Sequence, residues 1–349
     1  MQRHTKQYDG IQALRFVAAL LVVLVHATFY ASERLVPGFP VWAPGAAGVD
    51  VFFVISGFVM VVSSAPLAGR PGAAAEFMAR RVIRVVPLYW AATTIKLAAV
   101  LAVPAAVLAG GIDVAHVVAS YLFLPWRDAN GDLAPVLGVG WTLNFEMFFY
   151  AMFALALWAR VPPIRFVGTL FVLLSIAALF RRPDWPAFSF WLDTIVLEFV
   201  AGMLIGQAAL QGRRAPAAFG AALLVAGAVL LVWPWGKVPD MARVIFWGLP
   251  AIAIVAGTVL LEPVLAGRVP GWLTRLGDAS YSLYLFHPLS APIAPVVLAK
   301  LGIQNAWLSI AGSVAISIVV SLIVHALAER PVTAWLDRRR RARLAMRTA

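Results

Sequence analysis

The chain has 349 residues, 62% of them hydrophobic and only 13% charged, an apolar content above that of soluble domains, and several stretches reach the roughly 20 apolar residues that cross a bilayer core. The expected fold class is therefore all-α, a polytopic integral membrane bundle. The lack of cysteine excludes disulfides and thiolate chemistry. The net charge of +12 lies between apolar runs and in the C-terminal "DRRRRARLAMR", which fits topology control better than nucleic-acid binding.

Ten spans are expected, at roughly 11–30, 46–63, 87–109, 141–159, 163–180, 190–210, 216–233, 242–261, 277–298 and 306–328. An even count puts both termini on one side. That side then receives Arg3, Lys6, Arg70, Arg80, Arg81, Arg84, Arg160, Arg165, Arg213, Arg214, Arg268, Arg275, Arg330 and the C-terminal arginines. The other receives Arg34, Arg127, Arg181, Arg182, Lys237, Arg243 and Lys300. The asymmetry makes both termini cytoplasmic. Residues 1–335 form the transmembrane unit and 336–349 a basic cytoplasmic tail. The first span reads as a retained helix rather than a cleaved leader, since no A-x-A site follows it. The longest segments outside the spans are 64–86 on the cytoplasmic side and 110–140 outside. In the second of these, His116 to Trp126 is apolar enough to lie at the membrane interface or to dip back into the membrane.

In span 1, "FVAALLVVLVHATFY" carries His26 within an apolar run, and Arg15 stands eleven residues earlier. Eleven residues are close to three helical turns, so the two share a face about 16 Å apart. The residues between them on that face, Ala18, Ala19 and Val22, are small, so the face looks toward other helices. Asp50 in span 2 and Glu146 in span 4 fall at the level of His26. Thr142, Glu146 and Tyr150 line one face at i, i+4 and i+8. Either carboxylate can orient the imidazole as a general base needs, or pair with it only to hold the bundle together.

Before span 3, "EFMARRVIRVVPLYW" places Arg80, Arg81 and Arg84 on one side of a helix. Guanidinium forks suit phosphates, and a plain basic cluster touching anionic lipid is the simpler use. Pro87 is expected to restart the chain into span 3. Asp193 and Glu198 in span 6 either line a substrate cleft or pair with interior donors. In span 9, Ser280, Tyr284 and His287 share a face, with His287 as a bundle histidine and Pro288 freeing carbonyls. His325 and Glu329 read as structural, and His4 as part of the N-terminal tail. The five histidines have no metal-site spacing, and no metal is expected.

Five blocks in order, "LRFVAALLVVLVH", "GVDVFFVISGF", "FMARRVIRVVPLYW", "WTLNFEMFFY" and "LGDASYSLYLFHPL", resemble the acyltransferase family 3 membrane proteins, which O-acylate surface carbohydrates. "IQALR" and "WTLNFEMFFY" look like the branch found with bacterial exopolysaccharide production. The resemblance implies ten helices, a cytoplasmic acyl-CoA donor and a sugar acceptor at the outer face. It implies required roles for Arg15 and His26, with Arg80, Arg81 and Arg84 serving the donor. Two departures stand out: Gln12 where many members have Asp, and Met147 where many have a second Glu.

The resulting expectation is an O-acyltransferase of the bacterial inner membrane. His26, Glu146 and Asp50 are its catalytic candidates. Arg15, Arg80, Arg81 and Arg84 hold the acyl-CoA, with acetyl-CoA as the expected donor and succinyl or another short acyl chain as the alternative. Trp141, Asn144, Tyr150 and His287 are substrate contacts. No tightly bound cofactor is expected; the partners are acyl-CoA, a surface or lipid-linked carbohydrate, membrane lipid and polysaccharide-assembly proteins. His26 acts either as a base or as an acyl carrier. The competing classes are a proton-coupled or glycan transporter, for which no pair of broken helices is visible, and a non-catalytic subunit of an assembly complex.

Overall fold

The computed structural model describes residues 8–102, 113–182, 184–233, 235, 238–239 and 242–348. The expectations for Arg3, His4, Lys6, Lys237 and the 103–109 end of the third span lie outside them. The regular secondary structure of the described residues is all helical, with no strand among them. In chain order the helices are α1 (Asp9–Arg34), α2 (Gly48–Ser64), α3 (Ala73–Ala102), α4 (Val114–Tyr121), α5 (Trp141–Trp158), α6 (Pro163–Ala178) and α7 (Val196–Leu210). They continue with α8 (Ala217–Val232), α9 (Leu249–Leu265), α10 (Gly271–Asp278), α11 (Ser280–Ser290), α12 (Ile293–Lys300), α13 (Ala306–Val324) and α14 (Arg330–Thr348).

Seven helical stretches among the described residues are long and apolar enough to cross a membrane. The other three expected spans coincide with α6, α7 and α8, which are apolar but shorter. Large apolar side chains such as Leu173, Val225 and Ile323 point outward, as a lipid-facing surface requires. The chain is a multi-pass membrane protein.

Helix α1 runs through the middle of the bundle against α2, α9, α10, α11 and α13. Its first amides are capped by a remote carboxylate: Asp9 N and Gly10 N donate to Glu262 of α9 at 2.7 and 3.1 Å. This satisfies donors that every helix start leaves open. One expectation fails at α3. Pro87 does not restart the chain but sits inside a continuous 30-residue helix. The proline removes one hydrogen bond, and the packing on either side carries the helix through, as membrane helices tolerate.

The core lies between α2, α3, α5, α6 and α7 and is aromatic. Phe199 stacks on Phe53 and Phe149 with ring centroids 4.6 and 4.5 Å apart, and Phe77 stacks on Phe153 at 4.8 Å. Each such pair contributes about 0.5–1.5 kcal/mol beyond its buried area. On α13, Ser309, Ser313, Ser317 and Ser321 recur every fourth residue and are all buried. Ser313 donates to the Ala291 carbonyl at 2.7 Å and Ser290 to Ser317 at 3.1 Å. This small polar stripe seats α11, the carrier of Tyr284 and His287, by close approach and interhelical hydrogen bonding.

Helices α2 and α7 touch backbone to backbone. A Cβ on Gly202 would lie 2.0 Å from the Val54 carbonyl oxygen, and one on Gly57 would lie 2.1 Å from that of Phe199. Gly202→Ala is therefore expected to force the helices apart and cost about 1–3 kcal/mol. Thermal unfolding in detergent checks this. A melting temperature equal to wild type would show that the contact is not tight.

Candidate active site

Two cavities lie end to end along α1. The first, about 260 Å³, is lined by Arg15, Arg81, Arg84, Glu146, Tyr150, Ser56 and Tyr281, with an apolar wall that includes Phe52, Phe53 and Met60. The second, about 790 Å³, is lined by His26, Tyr30, Lys96, His116, Asp128, Asp132, Trp141 and Arg243. Of the two polar residues expected on one face of α1, Arg15 thus lines the first cavity and His26 the second.

His26 is held by two acceptors. Its Nδ1 lies 2.8 Å from the Val22 carbonyl and 3.3 Å from Nε2 of His287. A carbonyl can only accept, so Nδ1 of His26 carries the hydrogen. By the same argument Nδ1 of His287, 3.2 Å from the Leu283 carbonyl, carries its hydrogen. Nε2 of His287 is then a bare acceptor for His26. The arrangement leaves Nε2 of His26 with its lone pair free, which is the form a base or nucleophile requires.

This overturns the expectation that Asp50 or Glu146 orients His26. Asp50, fully buried, is bound on both oxygens by Arg243, through Nε at 3.0 Å and Nη2 at 2.6 Å. Arg243 also stacks over Trp247 at 4.7 Å. Glu146 belongs to the other cavity, where it accepts from Ser56 at 3.0 Å and from the Tyr150 hydroxyl. Depth along a span sets a residue's level but not the neighbour it meets. Glu198 is fully buried within electrostatic reach of Asp50 and Arg243. Asp193 accepts from Ile195 N at 2.9 Å.

The three arginines before span 3 do not act together. Arg80 pairs with Glu76 one turn back and faces a small cleft shared with Asp337 and Arg340 of α14. Successive helix residues are about 100° apart, enough to send Arg80 and Arg81 to different cavities. Arg81 stays in the first cavity near Glu146 and Tyr150. Arg84 pairs there with Glu329, which also accepts from Ser282 at 2.5 Å and His325 at 2.9 Å. Arg15 donates to Gln12 at 2.9 Å, and Gln12 donates to Asp278 of α10 at 2.5 Å. A carboxylate from another helix thus reaches Arg15 through the glutamine.

Of the expected substrate contacts, Trp141 lines the second cavity and Tyr150 the first. Asn144 and His287 line neither. Asn144 is two residues from Glu146, about 200° around the helix, and its carbonyl accepts from Trp191. His287 is fully buried against His26. Sequence reasoning missed Arg243 and Ser56 as members of these cavities, and although it read Glu329 as structural it did not pair it with Arg84. The partners of Arg243 and Glu329 stand 193 and 245 residues away in sequence, so no local spacing could signal them.

The family model described as an acyltransferase domain matches residues 8–326. The exopolysaccharide production protein ExoZ of Rhizobium meliloti (strain 1021) is 38% identical over 327 residues, covering 90% of this chain and 96% of its own. The acyltransferase MdmB of Streptomyces mycarofaciens is 25% identical over 373 residues, covering 95% of this chain and 93% of its own. No solved structure matches the chain. A match that runs from the start of α1 into the His325–Glu329 turn takes in both cavities, and the chain belongs to the acyltransferase 3 family, enzymes that transfer acyl groups other than aminoacyl groups.

Proposed function

We propose that the protein moves an acyl group, acetyl first, from cytoplasmic acyl-CoA to a hydroxyl of an exopolysaccharide or other surface glycan. One observation carries this reading: a cavity rich in arginine and a larger polar cavity holding the free Nε2 of His26 lie back to back. The names of the relatives support the acyl chemistry and the glycan class. In this reading the shorter helices α6, α7 and α8 also span, giving ten crossings of the bacterial inner membrane. Both termini and the arginine cavity then face the cytoplasm, and the basic tail 336–349 lies along the membrane surface.

The donor's phosphates meet Arg81 and Arg84, with Arg15 deeper on α1, and the pantetheine arm carries the thioester toward His26. The acceptor hydroxyl gives its proton to Nε2 of His26 as its oxygen attacks the thioester carbonyl. The carbon–sulfur bond breaks, and the imidazolium protonates the departing thiolate, leaving an ester and free CoA. Val22 and His287 hold the ring in the required tautomer. Glu146 stays with Ser56 and Tyr150 and shapes the donor cavity. Asp50 holds Arg243 against the acceptor cavity.

The test uses purified protein in nanodiscs with radiolabelled acetyl-CoA. Wild type binds the donor and releases CoA when a glycan acceptor is supplied. Arg81→Ala weakens donor binding about tenfold or more, since hydrogen bonds to a charged group contribute about 1.5–3 kcal/mol. Arg80→Ala leaves donor binding unchanged. Equal losses in both variants would reject the donor site, and an inert wild type would reject the reaction. Label retained on wild-type protein would move His26 from base to acyl carrier.

A further inference from the structure

The two cavities meet at a wall. Among the described residues, only Val49 and Tyr284 line both. Tyr284 is the larger, and it is buried. Its hydroxyl is pinned. It lies 2.8 Å from Thr142 Oγ1 and reaches the Val139 carbonyl at 3.0 Å, the same carbonyl to which Thr142 donates at 3.1 Å. Its ring stands edge-on to Phe52 at 5.9 Å and near His287 at 6.0 Å. The serine stripe of α13 fixes the helix that carries it. Tyr284 thus lines the cavity of Glu146 on one side and the cavity of His26 on the other.

We propose that Tyr284 is the partition past which the acyl thioester must move, and that its side chain limits the enzyme to short acyl groups. This rests on the reading given above, in which the donor enters one cavity and His26 works in the other. The first cavity is small, about 260 Å³, so a donor whose phosphates meet its arginines brings the acyl end up against its far wall. Its end wall is an aromatic ring rather than open space, so each added methylene presses on Tyr284 or Phe52. The ring opens the way by leaving Thr142 and Val139. Both are neutral hydrogen-bond partners, weaker than the charge-assisted contacts elsewhere in the cavity, so the wall can yield while the arginines hold.

Two measurements test the partition, one independent of catalysis. The chain has no cysteine, so single cysteines report without background. Val59→Cys probes the first cavity and Ala46→Cys the second. Sealed vesicles receive an impermeant maleimide from the side that labels the Ala46→Cys variant. With Tyr284 present, the Val59→Cys variant stays unlabelled from that side; with Tyr284→Ala added, it labels. Labelling in both backgrounds, or in neither, overturns the partition. In the second measurement, acetyl-, butyryl- and octanoyl-CoA are compared as donors. Tyr284→Ala raises the octanoyl-to-acetyl ratio of kcat/KM at least tenfold, and an unchanged ratio overturns the size limit. If Tyr284→Ala does not fold, Val49→Ala opens the same wall, with a smaller shift in both assays and the same rejecting outcomes. A wild type inert toward every acyl-CoA would defeat the functional reading alone, because the labelling result stands without turnover.

Discussion

Replacing His26 by alanine lowers CoA release by about 10²- to 10⁴-fold, the range that a positioned general base supplies, while donor binding stays near wild type. The second half of that expectation follows from the geometry. The arginines that meet the donor line a cavity to which His26 does not contribute. His287→Ala has a smaller effect, about tenfold, because it removes one of the two acceptors that fix Nδ1 of His26, and a lost hydrogen bond of about 1–1.5 kcal/mol is close to a factor of ten. The double variant is the decisive arm. If His287 works through His26, removing both costs no more than removing His26 alone. Losses that multiply would give His287 a separate role and would contradict the hydrogen-bonded pair as the reason for its burial.

Much of the fold was legible because membrane helices write a strong pattern. The face of α1 followed from an eleven-residue spacing, and the Thr142, Glu146 and Tyr150 face of α5 from fours. Both hold, since all three residues of α5 line one cavity. What spacing could not give was the neighbour across the interface. Asp50, Glu146 and His26 sit on helices whose sequence fixes their depth, but which helix face meets which is decided by packing. Here packing gives Asp50 to Arg243, Glu146 to Ser56, and His26 to a histidine 261 residues away. The arginine block failed for a related reason. An arc of about 100° looks like one side on paper, yet Glu76 one turn back draws Arg80 out of the cavity. Pro87 misled because the rule that proline starts a helix comes from helices ending in water. In α3 the neighbours hold the chain straight through it.

Glu329→Ala removes the centre of a three-way contact and costs about 3 kcal/mol of stability. That is the low end for breaking a buried ion pair, since the Arg84 side chain is 33% exposed while Glu329 is 1% exposed. Glu329 joins Arg84 of α3, Ser282 of α11 and His325 in the π turn that links α13 to α14. Its loss therefore loosens the helix that carries Tyr284 and His287 as well as the donor arginine. A charge-neutral pair separates these effects. Arg84→Met with Glu329→Met leaves no unpaired charge, and well-packed apolar replacements of buried ion pairs are often tolerated. The double variant is expected to regain most of the melting temperature lost by Glu329→Ala. It is not expected to regain donor affinity, because a methionine cannot meet a phosphate. Stability and donor binding, measured on the same purified samples, should thus part company in the double variant. If donor affinity returned with stability, Arg84 would be a structural residue only, and the donor's phosphates would rest on Arg81 and Arg15.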